Sequence, residues 1–502
     1  MPPMPERMRI PGDRAQRPQG PRRVGYALVL ASLVMTGAGS AAAHGRSVTP
    51  GILDDPWGLM TRIAPPGTYS PGRHHLPRMR IPKRPPRALL ADLRSLPALT
   101  AWALRHNPRT AIAWQEWRAE AAALGVAKSV WLPSVNGVFA AQRSATIVRG
   151  TAASVGPANG LYSTLSLDEV LFHFGYRRAY VAKARAAFLA ARYNVDDTIQ
   201  QIALAVADRY YDLAEAHQDV AIYRYDVREA RRVYIAARRL YQAHLKPITD
   251  LDLAKTLWAQ ARASLSEARG LERVRRGELA QAAGLPVGTP LSVVSLPAPT
   301  GPIPDTIRHW LQAALAHNPS LLADLALAQE AHQAIRQAAA QALPSVSLLG
   351  SAGNDEFPHG PDENNFSVGL QVNVPFNINF ANTYRIEQQR ATYRVARAQT
   401  RDQTHRVLLA VWQAYYGLQS SMRAYRRATI ATISARRALS GIGTQYRIGL
   451  ANMLDLTSAE SDLVASRITQ LRALTDYYRY RAALFRDSAM IPRAAPRLHR
   501  PR

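Results

Sequence analysis

Residues 366–374 read Phe366-Ser367-Val368-Gly369-Leu370-Gln371-Val372-Asn373-Val374, with an apolar side chain at every second position and one polar or small residue between each. Successive side chains of a strand point to opposite faces. Phe366, Val368, Leu370, Val372 and Val374 would therefore form one apolar row, and Ser367, Gly369, Gln371 and Asn373 the polar one behind it. A tilted strand of about ten residues is long enough to cross an outer membrane, with its apolar row toward lipid and its polar row toward a lumen. A half-buried sheet in a soluble protein shows the same alternation, so the surrounding sequence has to decide between the two.

Upstream of this stretch stands Leu343-Pro344-Ser345-Val346, and the same text occurs earlier as Leu132-Pro133-Ser134-Val135. Before each lies an alanine-rich run opened by Ala103-Leu104-Arg105-His106-Asn107-Pro108 or Ala314-Leu315-Ala316-His317-Asn318-Pro319. The offset is constant, because 317 − 106 and 343 − 132 both give 211. Downstream, the pair Tyr210-Tyr211 falls on Tyr415-Tyr416 and Ile248-Thr249-Asp250-Leu251 on Met453-Leu454-Asp455-Leu456, at an offset of 205. The chain is thus a tandem duplication with a six-residue length change inside it, and residues 144–160 and 353–365 are the loops best able to absorb that change. Each Asn-Pro pair reads as a helix start, asparagine capping and proline in the first turn, while Pro133 and Pro344 mark the stops. The histidines in front of the pairs read as first-turn or loop residues, with no ligand partners at helical spacing.

Copy one has a weaker version of the strand signal: Leu165, Leu167 and Leu171 alternate with Thr164, Ser166 and Asp168, and Glu169 breaks the row. Segments starting at Ser134 and Ser345 alternate faintly. The expected strands are 134–143, 163–172, 345–354 and 366–375. Four strands are too few to close a barrel, and an open edge in lipid would leave backbone groups unpaired, so subunits must pool their strands.

From Tyr176 through Lys246 there is neither Gly nor Pro, which predicts a helix on the order of 100 Å long. Val181, Ala184, Phe188, Ala191 and Val195 recur at coiled-coil spacing, and alanines on several faces point to more than one helical neighbour. Each long helix should turn at a common point, Leu245-Lys246-Pro247 or Ile448-Gly449-Leu450, and return as a shorter helix. Residues 98–283 and 305–490 are then the two repeats, with the Gly- and Pro-dense stretch 284–304 linking them.

At the N-terminus, Arg22-Arg23, an apolar run and Ala41-Ala42-Ala43 read as a secretory signal peptide over 1–43, cleaved before His44. The formal charge of +27 is concentrated in part in a Pro/Arg-rich flexible segment, 44–97, and a basic tail, 491–502. For an exported chain the partner implied by that charge is outer-membrane lipid or its phosphates, not nucleic acid. The absence of cysteine excludes a lipid-anchored lipoprotein. No uncharged run after the signal is long enough for a membrane-crossing helix.

The duplicated A-L-x-x-N-P and L-P-S-V text, the turn Tyr446-Arg447-Ile448-Gly449-Leu450 and the following Leu454-Asp455-Leu456 resemble the TolC family of outer-membrane efflux proteins over roughly residues 99–490. The resemblance implies a mainly α protein with a membrane β part. Its trimer would form one twelve-stranded β-barrel continuous with a periplasmic α-helical barrel. It further implies a passive duct in the outer membrane, a homotrimer that docks a periplasmic adaptor and, through it, an inner-membrane pump of an efflux or type I secretion system. Ile448, Gly449 and Leu450 match the family's second docking tip. Leu245, Lys246 and Pro247 stand at the first, where glycine would be expected. Asp455 matches an acidic ring at the periplasmic aperture, and a second ring aspartate is Ser458 here. Asp250 and Tyr446 match a network that holds the tips closed, whose arginine partner is replaced by Ala451.

A periplasmic coiled-coil adaptor would carry one hairpin between β-domains, and a structural rod or nucleic-acid-binding coiled coil needs neither signal peptide nor alternating strands. An enzyme would need a nucleophile and base, a phosphate-cradling loop or clustered ligands; none is found, and no catalytic residue, cofactor or resident metal is expected.

Overall fold

The computed structural model describes residues 93–146, 155–299, 306–357, 363–376 and 378–489. The signal peptide, residues 44–92 of the basic segment, the end of the linker and the tail from 491 lie outside the described residues.

The chain runs twice through one series of elements. Helices α1 (Leu96–His106) and α2 (Pro108–Lys128) lead to strands β1 (Ser134–Thr146) and β2 (Val155–Phe172), then to α3 (Tyr176–Gln242) and α4 (Ile248–Ala282). The second pass is α5 (Ile307–His317), α6 (Pro319–Gln341), β3 (Ser345–Glu356), β4 (Glu363–Asn373), α7 (Ala381–Arg447) and α8 (Met453–Asp487). The two long helices have 67 residues each and the two return helices 35 each.

The Asn-Pro pairs act as read from the sequence. The Asn107 side chain accepts from Arg109 N at 2.9 Å, and that of Asn318 from Ser320 N at 3.1 Å and Leu321 N at 3.3 Å, with proline at the first helical position in both. The same side chains do a second job, because their amide groups donate to the far ends of the return helices: Asn107 Nδ2 to Ala282 O and Asn318 Nδ2 to Asp487 O, both at 2.9 Å. His106 and His317, expected in a first turn or loop, instead close α1 and α5. The chain is already helical before each pair, since Leu99 with Ala103 and Trp310 with Ala314 bury an i, i+4 stripe.

The strands form one antiparallel sheet in the order β1-β2-β3-β4, so β2 and β3 join the two copies. Ser134 pairs with Asp168, 34 residues on, whereas Ser345 pairs with Asn373, 28 residues on; the six-residue length change therefore lies within the first hairpin. Phe366, Val368, Leu370 and Val372 oppose Ala352, Gly350, Leu348 and Val346, and the row continues through Leu165 and Leu167 of β2 to Gly137 and Val135 of β1. It is a wide apolar face with Phe139 87% and Phe366 80% exposed. Leu171, read as part of that row, is instead the extra residue where the β2–β3 register shifts, and Phe172 takes the face beside Val346. Glu169, which interrupts the row, is ion-paired to Arg177 at 2.9 Å, and the Arg177 guanidinium lies 5.3 Å from the Trp131 ring centroid. That neutralised pair stands where the sheet passes into α3.

Helix α3 packs against α2, α4, α6 and α8, which accounts for its alanines on several faces. Ala179, Ala186 and Ala190 are buried near its start; in the row through Phe188, Val195 is buried and the others are half-buried, with the Phe188 ring 5.7 Å from Trp117 of α2. The start of the linker is packed rather than loose: Leu285 and Leu291 are buried, and Tyr210 Oη donates to Arg94 O and accepts from Val294 N. No helix among the described residues is long and apolar enough to cross a membrane.

Candidate functional site at the helical turns

The two turns between long and return helices are built by the same backbone device. After α7, Gly449 takes φ +83°, its N–H donates to Tyr446 O at 3.2 Å, and Leu450 N reaches back to Gln445 O at 2.9 Å. After α3, His244 takes φ +57°, its N–H donates to Tyr241 O, and Leu245 N to Leu240 O, both at 2.9 Å. Both are left-handed helix terminations, and 449 − 205 is 244, so the histidine stands where the second copy has glycine. A side chain at Gly449 would meet nothing within 4 Å, so the glycine is needed for its backbone alone. In copy one the same bend is made against a Cβ, at a cost of roughly 1 kcal/mol.

Leu245 and Leu450 are 69% and 78% exposed, and Ile448, Pro247 and Gly449 are exposed beside them. Lys246 reaches inward, its Nζ 5.5 Å from the Tyr446 ring centroid. Tyr446 is buried with Ala237, Ala254, Met453 and Leu456, so one aromatic ring fills the space where the first hairpin meets the second. Its hydroxyl has no hydrogen-bond partner among the described residues, and burial, then the nearby Asp250 charge, raise its pKa. The structure brings Asp250, Tyr446 and Lys246 together without a hydrogen bond linking Asp250 to the tyrosine.

Asp455 opens α8 through a reciprocal cap. Its N–H donates to Asn452 Oδ1 at 2.8 Å and its carboxylate accepts from Asn452 N at 3.1 Å. The equivalent Asp250 lies in the first turn of α4, where Pro247 occupies the cap position and offers no N–H. Asp455 and Ser458 are exposed and line a groove of about 530 Å³ between α7 and α8 together with Ser434, Gln445 and Asp462. Asp462 stands seven residues beyond Asp455 on the same face, a second carboxylate that a search for an aspartate at position 458 passes over although the i, i+7 spacing was there to find.

Sequence reading also missed two charged clusters farther along the hairpins. Arg479 of α8 reaches across to α3, donating to Asp212 at 2.6 Å and Glu215 at 2.8 Å, and also pairs with Asp476. Nearer the turns, Glu460 of α8 lines a groove with Asp226 of α3; burial, then Asp226 and Glu229, push its pKa up to about 7. The pairings of Arg479 with Asp212 and Glu215, and of Glu460 with Asp226, join residues more than 200 apart in sequence, so no local spacing announces them.

A family profile described as outer membrane efflux protein matches residues 99–285 and 310–486. Among relatives, Protein CyaE of Bordetella pertussis is 27% identical over 398 residues, covering 78% of this chain and 83% of that protein. The alkaline protease secretion protein AprF of Pseudomonas aeruginosa is 26% identical over 399 residues, covering 75% and 80%. The solved outer-membrane channel OprN superposes with a TM-score of 0.73 at 20% identity, covering 82% of this chain and 98% of that one.

Proposed function

The chain belongs to the outer membrane efflux protein family, and from that premise we propose how its duplicated halves make a gated duct that docks a pump. It is an outer-membrane channel protein of the class that serves efflux or type I secretion, with a large periplasmic helical part. The observation that carries the proposal is the four-stranded sheet, whose apolar face is exposed and whose edge strands β1 and β4 have no further strand beside them among the described residues. Such edges are intolerable in lipid unless another chain pairs with them. Three copies, joined β4 to β1, give the twelve-stranded barrel, and their long helices line a passage below it.

At the far end of that passage, Asp455 of the three chains faces the axis with Ser458 and Asp462 in the same groove, and the repelling carboxylates draw cations into the constriction. Tyr446, wedged between hairpins beside Asp250 and Lys246, holds the closed arrangement by packing. The tips, with Leu245 and Pro247 exposed beside the inward-reaching Lys246 on one hairpin and Ile448, Gly449 and Leu450 exposed on the other, form the surface for a periplasmic adaptor coupled to an inner-membrane pump. The family is described by efflux and one relative by protease secretion, so the cargo is set by the pump rather than by this duct.

Single-channel recording in planar bilayers tests the gate. Asp455→Asn keeps a side-chain oxygen for the α8 cap but removes the charge; conductance should rise or block by multivalent cations should disappear. Unchanged conductance and block in both Asp455→Asn and Asp455→Ala would remove Asp455 from the constriction.

A further inference from the structure

Just below the apolar face of the sheet, Phe174, Gly175, Arg178 and Ala182 of the α3 start and Gln333 and Arg336 of α6 line a groove of about 380 Å³. Its position relative to lipid follows from the strand register. Phe172 pairs with Val346 and so shares the apolar face, and its ring packs edge-on against Phe174 at 4.7 Å between centroids. Phe174 is 49% exposed, so the groove opens where that apolar face ends.

Its polar lining is cationic and unspent. Neither Arg178 nor Arg336 has an ion pair or hydrogen bond among the described residues, whereas the adjacent Arg177 is neutralised by Glu169. The backbone adds to the same sign: Tyr176 N donates to His173 O at 2.8 Å, but α3 follows Gly175 without a side-chain cap and has no acidic residue in its first turn to answer the partial positive charge of its start. Two guanidinium groups, an uncapped helix start and an aromatic ring at the lipid boundary match a molecule with a phosphate at one end and acyl chains at the other.

We propose that the groove of Phe174, Arg178, Gln333 and Arg336 holds the headgroup of an anionic phospholipid from the periplasmic leaflet, its acyl chains running up the apolar sheet face. This rests on that face being the lipid-facing one, not on the gate or the docking tips. The bound lipid would set its phosphate charge between the two arginines and fix the junction between sheet and helices at the membrane surface.

Native mass spectrometry of the full chain in detergent tests it, with phosphatidylglycerol or phosphatidylcholine of the same acyl chains added. Phosphatidylglycerol should be retained preferentially, and Arg178→Gln with Arg336→Gln should weaken its retention at least about tenfold, or about 1.4 kcal/mol. Arg185→Gln, which removes an exposed charge two turns along α3, should leave retention unchanged, as should millimolar inorganic phosphate. Equal retention of the two lipids, an undiminished affinity in the double variant, an equal loss in Arg185→Gln, or displacement by inorganic phosphate would each overturn the assignment. Helical circular dichroism of the variants confirms folding, and because the lipid is read directly, the outcome does not depend on whether the channel conducts.

Discussion

Asn318→Ala removes one side chain that holds two helix ends at once. Its Oδ1 accepts from Ser320 N, Leu321 N and, at 2.7 Å, Ser320 Oγ, while its Nδ2 donates to Asp487 O at the end of α8. The residue is 5% exposed, so water cannot replace these partners without repacking. Loss of an N-cap costs about 1 kcal/mol, and loss of a buried donor to a carbonyl about 1 more, with a further penalty for groups left unpaired; the sum is about 2–4 kcal/mol. Asn318→Asp keeps the cap but loses the donor and sets a charge against the Asp487 carbonyl, so it should recover only part of the loss. Asn107→Ala removes the equivalent pair in copy one, but Asn107 is less buried and caps through one N–H, so its cost should be smaller. Urea unfolding in detergent, followed by helical circular dichroism, reads these differences as midpoint shifts at constant slope. An Asn318→Ala protein within about 0.5 kcal/mol of the parent, or one more stable than Asn107→Ala, would refute the idea that this amide joins the two helix ends.

Three further outcomes follow from the hairpins. Arg479→Met should lose roughly 1–3 kcal/mol in urea unfolding, since it leaves Glu215 without its ion-pair partner while Asp212 keeps Arg209 at 3.0 Å; a variant as stable as the parent would contradict this. Gly449→Ala should destabilise the second turn by about 1 kcal/mol and His244→Gly should stabilise the first, measured by hydrogen exchange of the turn amides; the opposite signs would exclude the left-handed terminations. Glu460 holds its proton in the folded state up to about pH 7 but releases it near 4.5 when unfolded, so its contribution to stability falls as pH rises through that window; Glu460→Gln should flatten the pH dependence of unfolding by at most about 3 kcal/mol, and an unaltered slope would count against the buried carboxylate cluster.

The fold was legible where residues act locally. Asparagine before proline caps a helix, alternation at Phe366–Val372 makes a strand, and glycine at 449 ends a helix, each for reasons contained within a few residues. Copy-to-copy comparison added the rest of the architecture, because two equivalent halves must place equivalent elements. What stayed hidden needed partners distant in sequence. Glu169 breaks the apolar row in the sequence, and only the fold sets Arg177 beside it with Trp131; nothing near Asn318 announces that its amide reaches Asp487. The strand ends differ as well: β2 starts at Val155 rather than at 163, because pairing with β1 continues past the apolar row. At the turns, Asp250 and Lys246 lie beside Tyr446 while Asp455 and Ser458 line a separate groove, and the use of histidine in place of glycine at 244 becomes intelligible only from its backbone angle.

The central claim is that strands from different chains close one barrel, and introduced cysteines test it without background because the chain has none of its own. Within one chain β1 and β4 are separated by two intervening strands, about 14 Å apart and beyond disulfide reach. Paired single cysteines stepped along Val135–Phe139 in β1 and Val368–Val372 in β4 should, in one register, give a reducible covalent trimer on a denaturing gel after oxidation in the outer membrane. Monomer alone in every register would contradict a shared barrel.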